Sequence, residues 1–391
     1  PPAPTPPLAS HCTPTPRTHH ARRAPDMLAV SSAIAAAVVL HPSPVGHSAP
    51  LSPRLVFSSR RAGECARMQL GDRVTWFPPI DISRPEEPPS DGATVMPLFP
   101  LGATYLPYTN PVLNIFEPRY RKMFNDILFS GARRFMVTNV DQDTGRMAEV
   151  GVVFYLDELK EVSEQTQDRV KYIGQHSVIG RVRLLKVLNP DASATRETYL
   201  RAEVAPLEDR DDEDSETVAA AEAATQKLFL DIVDTQASLG EEPRFTQAVK
   251  NGLSFSKGSG PEDKGLWGTI VLWQQFLESR TQVMGQKMQR EIQKGVVEFL
   301  KDNKIQEDLV SPRGEIRLED LPAPLLQEIK AIQTRYRDEL EAMDADPYGL
   351  QFQAMLQADS HVDRLAILNE VLGKEAKRLA ARSTLQSLFK Q

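Results

Sequence analysis

Two hydrophobic periods divide this chain. Between residues 95 and 205 the apolar positions fall in short runs or alternate with polar ones, and beyond residue 218 they return every third or fourth place. Alternation marks strands with one buried face, and the wider spacing marks helices with one apolar stripe. The first segment, Val95–Pro107 (VMPLFPLGATYLP), sets three prolines and a glycine among apolar residues. Proline lacks the N–H that a ladder needs, so the segment reads as an irregular or edge strand. Arg119–Phe129 then places Tyr120, Met123, Phe124 and Ile127 at helical spacing, with Pro118 suited to the first turn. Strand-like runs follow at Arg134–Val140, Ala148–Leu156, Ile179–Leu188 and Tyr199–Ala205, the first two joined by turn residues at Asp141–Arg146 (DQDTGR). One helix among antiparallel strands within 94–207 predicts an α+β fold, a small, β-rich, barrel-like domain.

Helical stripes fill the rest. Leu266, Ile270, Trp273, Leu277, Met284, Met288, Ile292, Val296 and Phe299 mark one long amphipathic helix. Leu325, Ile329, Ile332, Tyr336, Leu340 and Met343 mark a second. Met355, Leu365, Leu368, Leu372, Leu379, Leu385 and Leu388 point to further helix near the end. Pro312, Gly314 and Pro322 separate the first from the second, and Pro347 and Gly349 the second from the third. Such stripes pack on one another in a bundle or helical hairpin, without any cofactor. The mainly α-helical region is therefore assigned to 218–391. The acid run Glu208–Glu216 (EDRDDEDSE), within 208–217, reads as a solvated hinge, since it lacks the glycine and the spacing of a calcium loop. Pro78, Pro79, Pro85, Pro88 and Pro89 make 70–93 an extended linker, and 1–69 is left as a disordered targeting leader.

Composition sharpens the picture of that leader. Residues 1–67 hold seven arginines, no lysine and two acids. Met27–Leu40 (MLAVSSAIAAAVVL) is long enough for a signal core and too short to span a bilayer. Small residues at Ser48-Ala49 supply a cleavage site, and Pro50–Met68 has the Arg- and Ser-rich, acid-poor composition of a transit peptide. A signal core followed by a transit-like stretch is similar to the two-part leader of proteins sent into complex plastids. A plain secretory signal and an Ala/Pro-rich tail stay open beside it. Met27 is the expected true start, and the mature chain is expected to begin between Pro50 and Asp72. The remaining 39 basic and 51 acidic residues leave the body at −12, with no contiguous basic footprint, so nucleic acid is not an expected partner. Cys12 and Cys65 both lie in the leader and the body holds two histidines, His176 and His361, so neither a metal nor a cofactor is expected. No body segment reaches the about 18 apolar residues of a membrane helix.

One stretch carries a resemblance. Met96–Leu128 contains Leu98-Phe99-Pro100-Leu101, then Pro111-Val112-Leu113-Asn114-Ile115-Phe116-Glu117-Pro118-Arg119-Tyr120, then Met123 and Leu128. In order, spacing and residue type this resembles the opening of the Lon N-terminal, or Lon substrate-binding, domain. The likeness continues more loosely through Arg133-Arg134-Phe135, Ala148-Glu149-Val150-Gly151 and Tyr199–Val204. It returns near the end in LQFQAML (350–356) and in Asp363-Arg364-Leu365 with Leu372. Val178–Leu188 departs from the family's strand, with Gly180, Arg181 and Arg183 as an approximate counterpart. The residues have their own physical reading. Phe116 and Tyr120, four apart at a helix start, reach one apolar layer, Glu117 favours the helix N-terminus, and Arg119 lies within reach of a carboxylate. Phe99, Pro100, Phe116, Glu117, Arg119 and Tyr120 are accordingly assigned to holding the fold, and the binding residues stay unassigned.

Full-length Lon protease joins this domain to an ATPase and a peptidase. Within these 391 residues there is no G-x-x-x-x-G-K-[ST] loop. The nearest stretch, Gly258–Gly265 (GSGPEDKG), has Pro261 and two acids and reads as a flexible loop. Neither a G-x-S-x-G elbow nor H-E-x-x-H is present, and Lys257 with Ser254 has no peptidase context. The resemblance thus implies a non-catalytic protein- or peptide-recognition module, a substrate-binding or adaptor component of plastid protein quality control. Its partners would be polypeptide clients, or a protease or other complex. The alternative is a structural or assembly factor that docks on a larger plastid complex through its long helices. A hidden hydrolase would have to declare itself by measured turnover.

Overall fold

The computed structural model describes residues 73–141, 144–241, 245–302, 322–343 and 349–389. The expected leader, both cysteines, and the breaks at Pro312, Gly314 and Pro347 lie outside the described residues. Two compact units result, one of 73–290 with 330–389 and the other of 291–302 with 322–329.

In the larger unit the alternating segments become β1 (Thr94–Leu101), β2 (Val112–Ile115), β3 (Arg134–Asn139), β4 (Val150–Glu161), β5 (Tyr172–Val187) and β6 (Leu200–Pro206). They form one sheet in the order β2-β5-β4-β3-β1-β6, and β5 also pairs with β6. That last pairing, with Leu184 beside Val204, closes five strands into the expected barrel-like ring. β2 is left outside it, paired with the first four residues of β5. β1 and β3 run parallel, and the other pairs are antiparallel.

β1 corrects the edge-strand reading, because it lies between β3 and β6. The two partners divide it: β6 covers Thr94–Leu98 and β3 covers Leu98–Leu101. Pro97 and Pro100 therefore each sit where one side has no ladder, which gives a missing N–H somewhere harmless to point. β5 begins seven residues before the expected Ile179, in a stretch whose Gly174, Gln175 and His176 hide the strand signal. Gly174 is needed there, since a Cβ would fall 2.7 Å from the His176 ring.

Helix α1 (Pro118–Phe129) starts on Pro118 and buries Tyr120, Met123, Phe124 and Ile127, the predicted face. Two single-turn helices follow, α2 (Ser163–Thr166) and α3 (Ala192–Thr195). Then come α4 (Ser215–Leu239), α5 (Gln247–Asn251), α6 (Leu266–Asp302), α7 (Ala323–Ala342), α8 (Leu350–Gln357) and α9 (His361–Phe389). Asp214 caps α4 by accepting the Thr217 N–H at 3.0 Å, and Gly240 ends it at φ +69°. One apolar core joins strands and helices: Phe99, Phe135 and Phe154 share it with Phe229, Trp273, Met355, Leu365 and Leu368. A second, smaller core of Leu98, Met136, Val153, Val182, Leu184, Ala202 and Val204 lines the opposite face of the ring. In the smaller unit Ile292, Val296, Leu325 and Ile329 are buried, as their stripes require. Leu385 and Leu388 break the pattern and stand exposed near the end of α9. No helix among the described residues is long and apolar enough to cross a membrane.

Two segments read as loose are fastened down. In the linker, Val74 is buried, Trp76 bridges to Ala148, and Gln357 bonds both main-chain groups of Thr75. Further along, Ser90 donates to Glu203, and Glu87 pairs with Lys186. The acid run is not a solvated hinge throughout. Asp209 is half-buried and paired with two arginines, and Glu213 accepts the N–H groups of His361 and Val362 at the start of α9.

Candidate functional site

The motif residues divide by what they touch. Phe99, on β1, and Tyr120, one turn into α1, put their rings 3.9 Å apart, and Phe99 also meets Phe135 at 6.0 Å. Burial pushes the Tyr120 hydroxyl up to about 12, so it stays protonated. Arg119 lies 4.4 Å above the Tyr120 ring and bonds one Glu117 oxygen through Nε (2.9 Å) and Nη2 (2.8 Å). Glu117 holds the N-cap place of α1 without capping it by side chain. Pro100 is half-buried in β1. Phe116 corrects the expectation that it shares a layer with Tyr120: it is half-buried and outside the core. The helix begins at Pro118, so Phe116 still follows the strand alternation of β2. Leu113 and Ile115 point into the core, while Val112, Asn114 and Phe116 take the other side.

A second cluster locks strand to helix. Arg181 of β5 and Arg364 of α9 share the Asp209 carboxylate, and Arg364 reaches it at 2.8 Å through Nη1. Arg181 Nη1 also donates to the carbonyls of Leu356 and Ala358, and Arg364 Nε to that of Met355, at the turn between α8 and α9. Trp267 lies under both guanidiniums, 4.3 Å from Arg364 and 5.7 Å from Arg181. Burial, then the neighbouring Arg364, lowers Arg181 to about 10. Burial raises the Asp209 carboxyl, but the hydrogen bond and charge of Arg364 outweigh it and hold the group below its ordinary range. Gln353 adds a 2.8 Å bond to the Val150 carbonyl. Gln353 and Leu356 of the LQFQAML stretch and Arg364 of Asp363-Arg364-Leu365 are thus parts of this joint.

Several large apolar side chains stand exposed on the larger unit. Val112 is 59% exposed at the sheet's outer edge, and Phe129 is 92% exposed at the end of α1. Ile179 and Leu185 are 41% and 52% exposed. Both are the extra residues of β-bulges in β5, which turn them out of the ladder. Sequence reasoning assigned none of these four to binding. The strict alternation of Val112–Ile115 was a usable signal for β2, whereas a bulge leaves no mark in the pattern. Among the described residues no three His, Cys, Asp or Glu side chains gather as a metal site. His176 is buried among Phe124, Phe135 and Phe154, and burial lowers it to about 4, so it is a neutral core residue at ordinary pH.

The family model of the ATP-dependent protease La (LON) substrate-binding domain matches residues 95–374. No curated protein matches the chain. Among solved structures, a Lon N-terminal domain protein from Xanthomonas campestris is 23% identical, covering 35% of this chain and 74% of its own, with a TM-score of 0.27. The N-terminal domain of the Mycobacterium avium complex Lon protease is 13% identical, covering 37% and 70%, with a TM-score of 0.28. At those scores neither structure adds weight, but the family match does. Running from β1 into α9, through the strands, the Trp267 joint and the helices between, it makes this chain a member of the LON substrate-binding domain family.

Proposed function

We propose that this protein recognises polypeptides without transforming them, as a substrate-binding or adaptor component of plastid protein quality control. Membership of a family named for binding the substrates of a protease is the observation that carries the reading. The exposed Val112, Phe129, Ile179 and Leu185 support it, because unfolded chains present apolar groups that such positions suit. The plastid rests on the composition of 1–69 alone. The test uses the purified full chain with fluorescein-labelled, carboxymethylated α-lactalbumin, which cannot refold. Saturable binding is expected, indifferent to ATP and not competed by native lactalbumin, with neither ATP hydrolysis nor cleavage. Turnover that survives re-purification and disappears with one point mutation would overturn the non-catalytic reading. For the leader, terminal peptides of the native protein should begin between Pro50 and Asp72. Abundant peptides covering 33–54 would contradict plastid processing.

Leu385 and Leu388, exposed one turn apart on α9, favour a second reading, an assembly factor that docks by its helices. That reading requires co-purification with one defined complex and indifference to unfolded lactalbumin.

A further inference from the structure

We infer that the free edge of β2 takes an extended segment of client polypeptide as an added strand, an inference that rests on the recognition reading above. β2 ends the sheet, and among the described residues β5 is its one strand neighbour. In an antiparallel pair, successive residues turn their main-chain groups to opposite sides. The His176 N–H donates to the Pro111 carbonyl at 3.1 Å, and the Lys171 N–H to the Ile115 carbonyl at 2.9 Å. Pro111, Leu113 and Ile115 therefore face β5, and the N–H and C=O groups of Val112 and Asn114 face outward. Among the described residues nothing bonds to those four outward groups.

The edge is bounded and held in shape. Pro111 lies at one end, and at the other the Phe116 carbonyl accepts Arg121 Nε at 2.8 Å. The same Arg121 reaches both carboxylate oxygens of Asp168 through Nη1 at 2.9 Å and the Asp168 carbonyl through Nη2 at 2.7 Å. It thereby fixes the turn that leads into β5, where Gln167 and Asp168 both adopt positive φ. Donors and acceptors on every second residue of a strand match one ligand geometry, the main chain of another strand. The side chains beside that ladder are Val112, Asn114 and Phe116, exposed or half-buried. They suit a segment with apolar residues at alternate positions. Neither lysine nor an inward charge blunts this edge, as protective edges commonly do.

The probe is carboxymethylated α-lactalbumin bound to the full chain. Asn114→Pro deletes an outward N–H and sets a ring in the added strand's path, yet removes no bond to β5. It should weaken binding at least tenfold without moving the melting temperature. Asn114→Ala, which keeps the N–H, should bind within twofold of the parent. By hydrogen exchange, the Val112 and Asn114 amides should exchange fast in the free protein and at least tenfold slower under saturating lactalbumin. Parent-like binding by Asn114→Pro overturns strand addition, and so does an equal loss in Asn114→Ala or an unprotected pair of amides in an intact complex. Should Asn114→Pro unfold, the exchange measurement decides alone. A dimer in sedimentation that dissociates on Asn114→Pro overturns the inference by giving the edge to a second copy. A parent chain that binds no lactalbumin defeats the recognition reading itself, and this inference with it.

Discussion

Phe99 and Phe116 belong to one sequence motif, but burial separates them. Phe99 is buried against Tyr120 and Phe135, so Phe99→Ala should cost about 3–5 kcal/mol through lost burial and the cavity left behind. Phe116 is half-buried outside the core, and Phe116→Ala should cost about 1 kcal/mol. Denaturant midpoints of the two variants check this, and equal losses would contradict it. The four-residue interval to Tyr120 hid the difference, because the backbone changes from strand to helix between the two residues. His176 gives a second prediction at this scale. Its folded value is lowered to about 4 by burial, while unfolding restores the ordinary 6.5. Below 6.5 the unfolded chain therefore binds more protons, so stability is full above pH 6.5 and falls as pH drops toward 4. The shift corresponds to about 3 kcal/mol, to be read as the loss of unfolding free energy over that window. His176→Leu should flatten that part of the curve, and a variant with the parent's slope would contradict the assignment.

Elements meet through polar groups that composition alone placed on the surface. The apolar stripes of α1, α6 and α9 were legible because helix burial follows from periodicity. The acid run and the proline-rich linker were misread because composition cannot say whether a charge finds a buried partner. Asp209 is flanked by acids that do face water, and its two arginines lie 28 and 155 residues away in sequence. Asp209→Asn leaves two buried guanidiniums around one neutral amide, so it should destabilise by roughly 3–5 kcal/mol. Asp211→Asn, which breaks only an exposed contact with Lys257, should cost about 0–1 kcal/mol. Melting curves of the pair test the distinction, and an Asp209→Asn protein that melts like Asp211→Asn would contradict the joint.

At the scale of the molecule, the barrel-like ring and the helical continuation were readable from Leu98-Phe99-Pro100-Leu101, from the Arg134–Leu156 strands and from the stripes beyond residue 266. The proposed recognition surface was not. Its marks are an unpaired strand edge and two bulges, which arise from pairing rather than from residue type. As proposed, this surface serves unfolded polypeptide and the chain performs no chemistry on it. The most direct measurement titrates labelled, carboxymethylated α-lactalbumin into the full chain with and without ATP, with native lactalbumin as competitor. One saturable isotherm is expected, unchanged by ATP and undisturbed by the native protein, with an intact probe afterwards. No binding, or equal competition by native lactalbumin, would contradict it.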